Sequence, residues 1–255
     1  MTESRSRTAV PVDASRYDEE WITTAWGEDN VERLLSESEL APRPRVHRAM
    51  QLCDLQPGTR LLDIASGRGE VVALAAKDGA YAVGIDYSPA IMDVARQLKQ
   101  HHREREGADF SMELLQADAT CLPFADGSFD RITMLDIVEH LTPVQLEAMF
   151  REVRRLLAPG GYAVVHTLPN RWVYEIGYKL ARGLIRALPE QPRGEIEQQI
   201  HINEQDLPGL SDTLRTCDLN HEVWLEQHMP AQARWNLAEA HYRDNRDILY
   251  PRLAG

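Results

Sequence analysis

Four acids and three histidines stand where this chain could do chemistry: Asp63, Asp86, Asp118 and Asp136, with His140, His166 and His201. Asp63 lies inside "LLDIASGRGE" (61–70), an apolar run that breaks into a turn holding Gly67 and Gly69. Asp86 follows Gly69 by 17 residues, Asp118 closes a later apolar run, and Asp136 begins "DIVEHL", which carries His140. Glycines without a Cβ let the backbone approach a ligand closely. An acid at the end of the following strand can take both hydroxyls of a ribose, and an imidazole can accept a proton near neutral pH. The pattern is that of a bound nucleotide beside a site able to position or deprotonate a second molecule.

The elements that hold these residues alternate. Strand candidates fall at 60–65, 80–86, 111–118, 129–136 and 161–167, with a helical pattern at 42–55 before them and others at 69–78, 89–104 and 143–157 separating most of them. This alternation predicts a doubly wound, mostly parallel α/β sheet, and ligands of such sheets bind at the C-terminal edge, where several of these strands place an acid or polar residue. The Pro-Gly-Gly at 159–161 reads as a turn before the fifth strand. After Thr167 the rhythm breaks. Val173, Ile176, Leu180, Leu184 and Leu188 share one face of a helix over 171–188, a further helix and a strand at 221–227 follow, and 231–250 reads as helix. The dinucleotide fingerprint G-x-G-x-x-G asks for a third small residue at position 72, where the chain has Val72. The turn and Asp86 alone therefore leave a nicotinamide dinucleotide and S-adenosylmethionine both open.

Four segments in register narrow the choice. "LLDIASGRGE", "GIDYSPAIMDVAR", "QADATCLPFADGSFDRITMLDIVEHL" and "LLAPGGYAVVHT", over residues 55–168, resemble the class I S-adenosylmethionine-dependent methyltransferases, in particular their small-molecule branch, which includes natural-product enzymes. The resemblance implies a Rossmann-like, seven-stranded-type sheet with S-adenosyl-L-methionine above its edge and a helical cap. It implies that Asp63 orients the methionine ammonium, with Ala65, Ser66, Gly67 and Gly69 forming the close turn. Asp86 takes the ribose, flanked by Tyr87 and Ser88. Met92 packs on the adenine or lies in the core, and Asp118 and the Ala119 N–H meet the adenine edge. Leu135 and Asp136 line the methionine side, and Tyr17 closes over the cofactor.

For the acceptor, His140 is the candidate base, with a polar pocket residue as its bland counterpart; His166 is a second candidate or a core histidine. Trp21, Asn170, Trp172, Tyr174, His140 and His201 are candidates for the acceptor pocket. The expected organisation is an N-terminal tail and lid (1–41), a cofactor-binding core (42–168), a helical cap insertion (169–210) and a C-terminal completion of the core (211–255). The leading function is methyl transfer to an oxygen or nitrogen of a small metabolite, in secondary metabolism. The alternative is a cyclase or isomerase that keeps the cofactor without methyl transfer. A net charge of −12 speaks against a nucleic-acid partner, and no apolar run is long enough to cross a bilayer. Three scattered cysteines with no C-x-x-C pair predict no disulfide framework and no zinc site. Together with the polar first 25 residues, which lack a signal peptide's apolar stretch, they predict a cytoplasmic protein without a metal, whose apolar helices could also serve a homodimer.

Overall fold

Leu61 and Leu62, adjacent in β1 (Arg60–Ile64), belong to two different cores. Successive side chains of a strand point to opposite faces, so a strand buried along almost its whole length must be covered on both. In the computed structural model, which describes residues 10–26, 43–107, 111–168, 171–184, 190, 195–225 and 252–254, β1 is that central strand. With β2 (Tyr81–Asp86), β3 (Met112–Gln116), β4 (Phe129–Leu135) and β5 (Leu157–His166) it forms a parallel sheet in the order β3-β2-β1-β4-β5.

On one face, Leu62, Ile64, Ile132, Met134 and Val165 meet Phe150 and Val153 of α5 (Pro143–Leu156) and Leu210 and Leu214 of α8 (Leu207–Thr216). On the other, Leu61 and Val164 meet Ala49 and Leu52 of α2 (Pro44–Cys53), Val72 and Ala75 of α3 (Glu70–Lys77) and Leu98 of α4 (Pro89–Glu106). The α/β sandwich expected from the alternation is present. An N-terminal helix, α1 (Glu19–Trp26), packs against α4. A π-helical stretch (Val173–Tyr178) runs into α6 (Lys179–Leu184), followed by α7 (Glu195–Ile200).

Helix starts follow local chemistry. The Ser88 hydroxyl accepts from the Ile91 N–H at 3.2 Å with Pro89 in the first turn of α4, and Thr142 and Gln145 cap α5 reciprocally. One expectation changes. The Pro-Gly-Gly at 159–161 is not a turn before β5 but an irregularity within it: the register with β4 shifts between Phe129 and Arg131, and Gly160 takes φ +77°. At the far edge, β6 (Asn220–Glu222) and β7 (Arg252–Ala254) add two antiparallel strands in the order β5-β7-β6. The helix expected at 231–250 lies outside the described residues.

Candidate active site

β1 pairs with β2 on one side and β4 on the other, so the order of strands reverses there. Connections leaving two such neighbours run to opposite faces and open a crevice beyond their C-terminal ends. A cavity of about 1220 Å³ occupies that position. Sites for one drug-sized ligand span roughly 300–1,000 Å³, so this one lies above the usual room for a single ligand.

The sheet edge supplies one half. Asp63, at the end of β1, is buried and accepts the Thr133 hydroxyl at 2.6 Å. Burial, with Asp86 and Glu70 nearby, pushes its carboxyl up to about 7. Asp86, at the end of β2, is buried as well; it accepts the Gly67 N–H at 3.2 Å and the Ser88 N–H at 3.0 Å, and burial raises it to about 6. Ala65, Ser66 and Gly67 form the turn between them. Gly67 takes φ +54°, and Ala65 holds φ +57° despite its Cβ, a conformation that persists where surrounding structure enforces it. The buried Ser66 hydroxyl has no hydrogen-bond partner. Tyr87, Asp118, Ala119, Leu135 and Asp136 also line the cavity. Asp118 accepts the Thr120 N–H and hydroxyl at 2.8 and 2.7 Å. Asp136 sits at φ +59° and binds His166 Nδ1 at 2.5 Å and Arg45 Nε at 2.7 Å. Burial works to raise its carboxyl, but the hydrogen bond to His166 and the nearby Arg45 and Arg43 guanidiniums hold it below the usual range.

The second half comes from other segments. Residues 11–14, Tyr17, Trp21 and Trp26 close the cavity from the N-terminal side. That segment is fastened at both ends of the site: the Ser88 hydroxyl donates to the Tyr17 carbonyl at 2.8 Å, and the Tyr17 hydroxyl meets His140 Nδ1 at 2.9 Å. The Tyr87 hydroxyl donates to the Val12 carbonyl at 3.3 Å, which places the start of the described N-terminal segment against the site. His140 and His201 lie edge to face at 4.9 Å. Burial, then the neighbouring His201, pulls His140 down to about 3, so its ring is neutral. The backbone N–H of Asn203 donates to the Glu139 carbonyl at 3.0 Å, which ties the loop carrying His201 to the turn carrying His140. The same tie brings Glu139, His140 and His201 together, with one metal-ligating atom of each within 4.8 Å of the others, a grouping their sequence spacing does not reveal.

Several expected site residues lie elsewhere. Gly69 does not line the cavity; at φ +82° it starts α3 facing Met112 and Ala95. Ser88 is the cap of α4, and Met92 is fully buried in the interior while Ile91 takes the cavity face. His166 is buried behind Asp136 and off the cavity, which removes it as a candidate base. Trp172 and Tyr174 do not line it either: the insertion turns Val173, Ile176 and Leu180 outward, and its contribution is Ile200 and His201. Asn170 lies outside the described residues. Sequence reading missed Arg43, Arg45, Arg68 and Glu70, all on the cavity wall. The residues present fit an adenosyl cofactor: a close-approach turn, a buried acid beside it at the ribose position, an orphaned serine hydroxyl and a second buried acid.

Comparison with known proteins agrees. Residues 62–165 match the family described as "Methyltransferase domain". The chain is 36% identical over 125 residues to a demethylmenaquinone methyltransferase of Thermus thermophilus, covering 48% of this chain and 53% of that protein. It is 30% identical over 168 residues to the enzyme of that name from Corynebacterium urealyticum, covering 66% and 65%; it thus spans between half and two thirds of these relatives. The fold superposes on a methyltransferase from Aquifex aeolicus described as SAM-dependent, with TM-score 0.57, 13% identity, and coverage of 95% and 98%. Residues 62–165 thus belong to the methyltransferase-domain family, and the fold around them is that of the class I, S-adenosylmethionine-dependent type.

Proposed function

We propose that this protein transfers a methyl group from S-adenosylmethionine to an oxygen or nitrogen of a small metabolite, in secondary metabolism. The observation that carries the reading is the single cavity that joins Asp63, Gly67 and Asp86 at the sheet edge to Tyr17, His140 and His201. Two of the matched relatives are named for demethylmenaquinone, and Trp21, Ile137, Leu141 and Ile200 give this chain's acceptor end an apolar lining.

Bound S-adenosylmethionine supplies an electrophilic methyl group on a sulfonium. The chain's own task is alignment and exclusion of water, which can lower a barrier by several kcal/mol or more. Asp63, Asp86, Gly67 and Asp118 would hold the cofactor's polar groups, and the segment 11–26 covers both reactants. A general base works best with a pKa near the operating pH. His140 at about 3 is far below that, so the Tyr17–His140 pair acts as a neutral hydrogen-bonding partner that orients the acceptor's nucleophile. This replaces the expected role of His140 as base.

The test is a metabolite screen with methyl-labelled cofactor. The expected result is a labelled product heavier by one methylene, with release of S-adenosylhomocysteine. A product of unchanged mass formed with the cofactor intact would establish the cyclase or isomerase alternative and sink methyl transfer.

A further inference from the structure

One hydroxyl joins the sheet edge to the acceptor end of the cavity. Ser88 is fully buried, so its O–H must find both an acceptor and a donor inside the protein. As acceptor it takes the Ile91 N–H and starts α4. A cap needs only that, and a glycine would start the helix with little loss. As donor it reaches 71 residues back along the chain, to the Tyr17 carbonyl at 2.8 Å.

Local sequence releases that carbonyl. In a continuous helix it would accept the N–H of Trp21, four residues on. Asp18 takes this N–H on its carboxylate at 2.9 Å, just before α1 begins. Tyr17 therefore stands at the junction between a short 3-10 turn (Ala14–Arg16) and α1. Its ring lies edge to face with Trp21 at 4.9 Å, Tyr87 at 5.7 Å and His140 at 5.9 Å. Its hydroxyl meets His140 Nδ1 at 2.9 Å, where both residues line the cavity. The two hydrogen bonds lie at opposite ends of one buried residue, so an anchor at the carbonyl fixes where the hydroxyl stands.

We propose that Ser88 is a positioning residue for the acceptor: by holding the Tyr17 carbonyl, its hydroxyl sets the Tyr17 hydroxyl on His140. The inference rests on the reading of that pair as the group that orients the acceptor's nucleophile. Ser88 itself does not line the cavity. A misplacement of about 1 Å can cost on the order of a hundredfold in rate, so a bond made outside the cavity lining can still govern alignment within it.

The experiment is nuclear magnetic resonance on the full chain with no ligand added, following the ring nitrogens of His140, identified by their loss in His140→Ala. Tyr17→Phe removes the hydroxyl and should shift these signals. Ser88→Gly keeps the helix start but not the tether, and should give most of the same shift. His102 and His166, buried elsewhere in the fold, should keep theirs. The double variant should move His140 no further than Tyr17→Phe alone. A His140 signal unmoved in Ser88→Gly, or in Tyr17→Phe, overturns the proposal, and so does a shift shared by all three histidines. If neither Ser88→Gly nor Ser88→Ala gives a cooperative urea transition, the hydroxyl serves the fold and the proposal falls. Calorimetry with S-adenosylhomocysteine judges the cofactor reading separately. Ser88→Gly should bind it within about twofold of wild type; a larger loss assigns Ser88 to the cofactor and overturns the positioning role. A wild type that does not bind it sinks the cofactor reading, while the His140 comparison still decides the tether.

Discussion

Acidification should weaken cofactor binding steeply, by an amount the two buried carboxyls set. Asp63 and Asp86 are held near 7 and 6 by burial in the cavity. The Thr133 hydroxyl bonds Asp63 and backbone N–H groups bond Asp86, while Asp86 and Glu70 raise Asp63 further. An ammonium or a pair of ribose hydroxyls is bound by the ionised form, so binding must expel whatever protons the two groups carry. The sign follows: both acids have raised values, the free protein holds extra protons below about 7, and affinity falls as pH falls. Between pH 7.5 and 5.5 the protonated fraction of Asp63 costs about twenty-five-fold and that of Asp86 about fourfold, roughly a hundredfold together. At pH 6.5 about one proton should leave per ligand bound. Calorimetry with S-adenosylhomocysteine in buffers of different ionisation enthalpy reads both quantities. Asp63→Asn, which can still accept the Thr133 hydroxyl, should leave only the roughly fourfold dependence of Asp86. An affinity that stays level over this range, or proton uptake on binding, refutes the reasoning.

At saturating cofactor and acceptor, kcat should stay level down to pH 5.5, because His140 is already neutral; an inflection near 6.5 in a pH–rate profile would restore it as an ordinary histidine base. His140→Ala and Tyr17→Phe should each lower kcat by about tenfold to a hundredfold, and the double variant by little more than either, since the two groups act through one hydrogen bond. Gly69→Ala should lower stability by about 1–2 kcal/mol, read by urea unfolding, because a Cβ is disfavoured at φ +82°; the nearest atom it would meet, the Met112 methyl, can swing aside. Amide exchange in residues 11–26 should slow when S-adenosylhomocysteine is added, since this segment covers the cavity, and equal exchange in both states counts against a lid.

How much of this was legible in the sequence depended on the range of the interaction. The strands and the glycine turn are local: doubly covered strands read as unbroken apolar runs, and Asp63 and Asp86 follow from position within them. Met92 shows the limit of that logic, because one residue along a helix is about 100° of rotation; Ile91 faces the cavity and Met92 the interior. Ser88 was readable as a cap, since Ser-Pro at a helix start is a recognised signal, and the resemblance drew it into the ribose site instead. The insertion could not be placed from its periodicity. An apolar stripe says that a helix has a face, not which way it points, and here Val173, Ile176 and Leu180 stay exposed. His201 reaches His140 through the Asn203–Glu139 backbone bond, and Arg43 reaches Arg68 through a shared carboxylate. Both are tertiary contacts with no spacing to announce them.

The charge pattern of the cavity also answers the question that the glycine turn left open. A dinucleotide would bring a pyrophosphate with two negative charges to that turn. Here the strand leading into the turn carries Asp63, raised by its burial and then by Asp86 and Glu70, and Asp86 accepts the Gly67 N–H that a phosphate oxygen would need. Two more negative charges there would meet carboxylates rather than donors, a juxtaposition worth about 1 kcal/mol in water and several times more in a partly buried site. An adenosyl amino acid presents the opposite demand. Its ammonium and ribose hydroxyls suit the two acids. The acids are thus disposed along the cavity for an ammonium and a ribose, and a pyrophosphate would find its strongest repulsion at the turn that usually welcomes it.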